Sequence, residues 1–267
     1  MSWAIKVYGE RNSGTNYLEK LIEENLDVEV IRIQRRWFHM QLLKLIRYDF
    51  IQDIVEFLQR KEVLGWKHGC PRIKEIKRYK KQKLAVITIT KNPYAYLLSL
   101  HRNPYHLKGR LQPNFVAFLK QPWLLRRRDR LQKRQVDSPI DLWNLKNREY
   151  LELKNRVENP VFNLSYESLI ENPEQIISDI ASTLRIDLKN SCFKNIEPST
   201  KHSGKSFGEY RDYYLNQQYE NELSVDAVKV INQQLDRPVL SHFNYKILQE
   251  SSTVGESVDG STKIDTP

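Results

Sequence analysis

The sequence predicts an α/β protein in three layers, built on a central and mainly parallel sheet. Three observations carry that prediction. Short apolar, β-rich runs recur at residues 4–8, 28–33, 84–90 and 160–164. Helical patterns separate them, which is the signature of βαβ units. The first run ends in a glycine-bounded turn that leads straight into an amphipathic segment.

Taken in order, that first segment carries Leu18, Leu21, Ile22 and Leu26 on one side and Glu19, Glu23 and Glu24 elsewhere, as a surface helix requires. Residues 40–58 are amphipathic and expected to be helical, and residues 64–69 are read as a further strand end. The third run leads into a helix that contains Ser99. Residues 103–137 hold three prolines and little periodicity, so they are expected to form an insertion over the sheet's edge. Ser138-Pro139 is a cap followed by proline at the first helical position, and the helix it opens should run through Leu142, Leu145, Leu151 and Leu153 to about residue 157. Asn172-Pro173 precedes another helix with Ile176, Ile177, Ile180 and Leu184 inward, and a last one is expected over 224–235. Residues 1–248 thus read as one domain, and 249–267, polar and aperiodic, as a disordered tail.

Composition narrows the class. Of 267 residues 40% are hydrophobic and 28% charged, the balance of a globular protein with a sizeable core. No apolar run approaches the ~20 residues needed to span a bilayer, and no basic-then-apolar leader precedes Trp3, so a cytoplasmic protein is expected. Cys70 and Cys192 read as reduced thiols. The histidines show no ligand spacing with them, so no metal is expected. The net charge of +10 is concentrated. Between His101 and Gln135 ten Lys/Arg face the single acid Asp129, and between Arg72 and Lys83 seven face Glu75. Such surfaces favour an anionic partner, although Arg126-Arg127-Arg128 by itself reads as a solvated basic face.

The turn after the first run, Gly9 to Asn16, aims backbone N–H groups and the positive end of a helix dipole at one point, which suits a phosphate. Against the pattern G-x4-G-K-[ST], Gly9 and Gly14 fit, but Thr15 and Asn16 stand where Lys and Ser/Thr would be. A triphosphate-binding lysine and a magnesium-binding hydroxyl are therefore missing. In open α/β sheets ligands bind beyond the carboxyl ends of the strands. Lys91-Asn92-Pro93 and Ser165-Tyr166-Glu167 occupy two more such ends.

In order and spacing these strand ends resemble the sulfotransferase family that uses 3′-phosphoadenosine 5′-phosphosulfate, over most of the chain from Ile5 to about Tyr245. The resemblance implies the P-loop NTPase-like sulfotransferase fold. It also implies that Arg11, Asn12, Ser13, Gly14, Thr15 and Asn16 form the 5′-phosphosulfate loop. Lys91 and Ser99, eight residues apart, are similar to the family's 3′-phosphate motif, where Arg is usual in place of Lys91. Residues 163–169 with Asn172-Pro173 look like its Tyr-Glu-Asp-Leu segment, which makes Tyr166 a candidate to pack on adenine. By chain position His68 is the candidate base, and an imidazole pKa of ~6.5 suits that work. Arg11, assisted by Lys67, is the candidate to stabilise the leaving phosphate, because Asn12 stands where the family has its Lys or Arg. Residues 201–205 are a loose counterpart of a C-terminal loop that touches the 3′-phosphate.

The expected reaction is sulfuryl transfer to a hydroxyl or amine of a small-molecule or glycan acceptor, with basic lining favouring an acidic one. The acceptor pocket is expected from residues 37–58, the insertion and Trp143. Two alternatives stand beside it: a divergent P-loop kinase or NTPase, and a non-enzymatic basic module that binds nucleic acid. The second is disfavoured because no aromatics are interleaved with the basic run as a stacking platform needs.

Overall fold

The computed structural model describes residues 2–32, 58, 62–105, 107–197 and 206–250. The expected helix over 40–58, the proposed acceptor lining at 37–58, the loop at 201–205 and the tail beyond 250 lie outside the described residues, Leu58 excepted.

The sheet holds β1 (Trp3–Gly9), β2 (Val28–Val30), β3 (Lys83–Thr90) and β4 (Val161–Ser165). All pairings are parallel, in the order β2-β1-β3-β4. Each strand lies within a few residues of its predicted run, because buried parallel strands read as continuous apolar stretches. The alternation of side chains divides two cores. Ile5, Val7, Ala85, Ile87 and Ile89 face one, with helix α1 (Thr15–Asn25) and helix α2 (Pro93–Arg102). Ala4, Tyr8, Leu84 and Val86 face the other, with Ile76, Tyr150 and Leu153. Helices on both faces make the predicted three layers.

Several of the described helices start where the sequence signals starts. Helix α3 (Pro139–Arg156) opens with Ser138 accepting from Asp141 N–H and Pro139 in the first turn. Helix α4 (Tyr166–Glu171) is capped by Ser165, and α5 (Pro173–Leu184) begins with its proline. Asn92 caps α2, and Ser224 caps α6 (Val225–Gln234). Helix α7 (Phe207–Leu215), which no reading of periodicity had found, opens with a capping box between Ser206 and Glu209. Among the described residues no helix is long and apolar enough to cross a membrane.

Two expectations change. Residues 64–69 form an irregular segment and not a strand end. Even-numbered residues of β1 hold it from below: Lys6 Nζ donates to Gly65 O at 2.8 Å and Tyr8 OH to Leu64 O at 2.5 Å. The basic stretch 103–137 contains a short helix (Phe115–Lys120), a two-stranded antiparallel ribbon (Trp123–Leu124 with Gln135–Val136) and a 3-10 turn (Arg127–Asp129). That turn packs on the segment 66–70 near the carboxyl end of β1, and not over an edge strand: Cys70 N–H donates to Asp129 O at 2.9 Å.

Candidate active site

The register of the sheet sets three loops level with one another. Gly9 pairs with Ile89, and Thr90 pairs with Ser165, so the chain leaves β1, β3 and β4 at the same height.

In the first loop Asn12 and Gly14 both have left-handed backbones, with φ of 63° and 88°. Gly14 is the N-cap of α1, and no side chain caps that helix. The orphan N–H groups of its first turn are therefore not claimed by a side chain, unlike those of α2, α3, α4, α6 and α7. An anion is the natural cap there. Glycine is required at 14: a β-carbon would stand 2.4 Å from the Tyr166 ring, on a backbone that side chains rarely adopt. Ser13 shapes the turn instead of pointing out of it, since its hydroxyl donates to Glu10 O at 2.6 Å. Thr15 is buried in the first turn.

The second loop brings Lys91 to the first. Its ammonium lies 3.4 Å from Ser99 Oγ and 3.5 Å from Asn12 O. Lys91 precedes α2 and reaches back over two turns, as its spacing from Ser99 demands. Asn12 Nδ2 donates to Ser99 O at 3.3 Å and ties the loops together. Two tyrosine rings wall the ammonium, Tyr214 of α7 at 3.6 Å and Tyr166 at 4.8 Å to their centroids. Lys91 is 2% exposed, and among the described residues no carboxylate is ion-paired with it. Burial pulls its pKa down to about 7, against a smaller upward pull from Glu167 and a further downward one from Arg102. Glu167 is itself held by Tyr245 OH at 2.7 Å and by Asn92 N–H at 3.1 Å. Burial pushes its carboxyl upward.

Lys67 and His68 reach the same place from the irregular segment. Gly9 N–H donates to Lys67 O at 2.9 Å. Lys67 Nζ lies 2.5 Å from Asn16 Oδ1 and 2.8 Å from Glu19 Oε2, so its charge sits against the first turn of α1. His68 Nδ1 is 2.7 Å from Gly9 O. A carbonyl only accepts, so Nδ1 carries the proton and the neutral ring has its basic lone pair on Nε2.

Arg11 has a different occupation from the one expected. It is 1% exposed, turned under the loop, with Nη1 2.6 Å from Glu10 Oε1 and Nη2 3.1 Å from Asp129 Oδ1. Its guanidinium also faces Trp66 at 4.8 Å. Lys146 of α3 completes a neutral quartet, 2.9 Å from Asp129 Oδ1. Burial pushes the Asp129 carboxyl up, but Arg11 and Lys146 outweigh it and hold the group well below the carboxylate range. The Arg11 side chain is engaged in this quartet and is not turned toward the first turn of α1. Arg128, read as part of a solvated face, is buried against Trp66 at 4.3 Å, while Arg127 is exposed.

Sequence reasoning missed Tyr214, Glu10, Lys146 and Asp129. The last had a signal, as the lone acid in a run of bases; its partner Arg11 is too distant in sequence for periodicity to reveal. Among the described residues no group of His, Cys, Asp or Glu is arranged to hold a metal ion.

No protein-family model matches the chain, and no curated protein matches it significantly in sequence. Solved structures similar to it include three sulfotransferases. One is the sulfotransferase domain of the Synechococcus PCC 7002 olefin synthase, at 13% identity over 87% of this chain and 94% of that one, with a TM-score of 0.45. Another is the sulfotransferase domain of the curacin biosynthetic pathway, at 10% identity over 93% and 99%, with a TM-score of 0.46. The third is a sulfotransferase from Alicyclobacillus acidocaldarius, at 11% identity over 89% and 98%, with a TM-score of 0.40. The fold class rests on the chain's own sheet and registers.

Proposed function

We propose that this chain transfers the sulfuryl group of 3′-phosphoadenosine 5′-phosphosulfate to a hydroxyl or amine acceptor. One observation carries the reading. Lys91, a buried cation with no carboxylate ion-paired to it among the described residues, meets Ser99 and the Asn12 carbonyl beside the start of α1, which no side chain caps. Two anion-receptive points side by side suit a nucleotide with phosphates at both ends of its ribose. ATP offers no second phosphate of that kind.

The first-turn amides of α1, from Gly14 to Tyr17, would hold the 5′-phosphosulfate, and Lys91 with Ser99 the 3′-phosphate. Tyr166, over Gly14 and beside Lys91, would border the nucleoside. The acceptor oxygen or nitrogen attacks sulfur in line. Its proton passes to Nε2 of His68, and the bond from sulfur to the 5′-phosphate oxygen breaks with its electron pair leaving on the phosphate. Lys67, tethered to the first turn through Asn16, stands for Arg11 as the cation facing that developing charge. The migrating group is a monoanion in a loose transition state, so positioning and charge stabilisation supply most of the acceleration. Exposed bases of the insertion, Arg127 and Lys133 among them, favour an acidic small-molecule or glycan acceptor.

Calorimetry without magnesium tests the donor. Tight binding of 3′-phosphoadenosine 5′-phosphate with weak binding of ATP is expected; equal binding, or metal-stimulated ATP turnover, would overturn the reading. A transfer assay with labelled donor over a panel of glycans, phenols and alcohols tests the reaction. His68→Ala should lower turnover ~10²–10⁴-fold and leave nucleotide affinity unchanged.

A further inference from the structure

Lys146 is a buried cation that the transfer scheme does not use. It projects from α3, is wholly shielded from solvent, and its ammonium donates to His68 O at 2.5 Å and to Asp129 Oδ1 at 2.9 Å. Glu10 Oε2 stands 3.7 Å away. An ammonium has three N–H bonds, and these oxygens come from the irregular segment, the insertion and the loop after β1. Asp129 holds the same segment two residues further on, where its carbonyl accepts from Cys70 N–H. Its other carboxylate oxygen accepts from Arg126 N–H at 2.8 Å, which fixes Asp129 in the 3-10 turn. The main chain around His68 is thus fastened from one side by Lys146 and Asp129, and the ring is fastened from the other by Gly9 O at 2.7 Å.

We infer that Lys146 and Asp129 are positioning residues for His68: by seating its main chain against the end of β1 they keep Nδ1–H on the Gly9 carbonyl and so keep the basic lone pair on Nε2. The inference rests on His68 being the base of the proposed transfer. The pair touches neither the ring nor, in that scheme, the substrate. A purely structural pair would stabilise the fold without choosing between the two neutral forms of the imidazole. A positioning pair chooses, because a His68 carbonyl freed to rotate would carry the ring off Gly9 O and let either nitrogen bear the proton.

Nitrogen NMR of the full chain labelled at histidine, with His68→Gln for assignment, reads that choice directly. At a pH where the ring is neutral, the unmodified protein should show His68 in one form, protonated at Nδ1. Lys146→Gln should show a mixture of both neutral forms, and Lys146→Arg, which keeps the charge and the donors, should restore the single form. A His68 ring that mixes forms in the unmodified protein overturns the inference, as does a single Nδ1–H form in folded Lys146→Gln. Should Lys146→Gln fail to fold, Asp129→Asn decides: a mixture supports the inference and a single form overturns it. These readings are made on resting protein. Failure of the unmodified chain to transfer sulfuryl groups would remove the proposed reaction and leave the NMR result standing.

Discussion

Arg11 and Lys91 are both buried, one within the loop 9–16 and one against it, and differ in what surrounds their charge. Arg11 sits in a quartet with Glu10, Asp129 and Lys146 whose charges cancel. Lys91 has a hydroxyl, a carbonyl and two aromatic rings, with Glu167 acting on it from beyond ion-pair distance. Burial lowers Lys91 to about 7. For Arg11 burial is outweighed by its two carboxylates, and its pKa rises. The charge of Arg11 is balanced when the chain folds, whereas that of Lys91 is proposed to await an anion. The contrast is the ground for proposing Lys91 and not Arg11 as an anion-binding cation, where the sequence had put both in the site.

The contrast breaks if substitution affects both cations alike. Arg11→Met leaves two buried carboxylates with one cation, and chemical denaturation should show a loss of about 3–5 kcal/mol. Lys91→Met removes a buried cation that no carboxylate pairs among the described residues, while Glu167, the acid that feels its charge, keeps Tyr245 and Asn92, and the same measurement should show a clearly smaller loss than Arg11→Met. A loss as large as that of Arg11→Met would put Lys91 in the scaffold.

The ligand sharpens the contrast further. The 3′-phosphate should contribute about 1.5–3 kcal/mol through charge-assisted bonds, read as the preference for 3′-phosphoadenosine 5′-phosphate over adenosine 5′-phosphate in calorimetry. Lys91→Met should abolish that preference, and Gly14→Ala should weaken both nucleotides together.

Titration gives a smaller effect with a definite sign. The unfolded chain keeps Lys91 near 10.5 while the fold lowers it to about 7, so between those values the unfolded state binds more protons. Stability should therefore rise with pH across that window, and the rise should be missing in Lys91→Met. Affinity for 3′-phosphoadenosine 5′-phosphate should move the opposite way. Binding must reprotonate Lys91, so affinity falls by up to about tenfold per pH unit above ~7. It also weakens below ~6, where the phosphate loses its second charge. Smallest of all, Asn12→Gly keeps the left-handed turn and loses the side-chain bonds to Ser99 O and Asn103 O, for a change within about 1 kcal/mol by denaturation.

The strands, the glycine-bounded turn and the Lys91–Ser99 spacing were legible because they depend on neighbours in sequence. The β1 run is almost continuously apolar, and eight residues across a helix start set a distance that the chain must close. What was not legible depends on pairings across the molecule. Asp129 looked like an exception in a basic surface until Arg11, 118 residues earlier, reached it. Residues 64–69 are apolar enough to suggest a strand, but Gly65 is left-handed and buried Lys6 and Tyr8 take its carbonyls. Tyr214 comes from a helix whose capping box was readable, yet nothing local says that its ring will cover Lys91.

The alignment of Gly9 with Ile89 and of Thr90 with Ser165 makes the sheet a caliper. A slip of one strand that preserved its inward face would need two residues, or ~6.6 Å, more than any ionic contact tolerates. The separation between the jaws is therefore stored in the interior, out of reach of substitutions at the surface. A descendant of this chain could change what it grips by trading side chains, but to grip something longer or shorter it would have to re-cut the loops themselves.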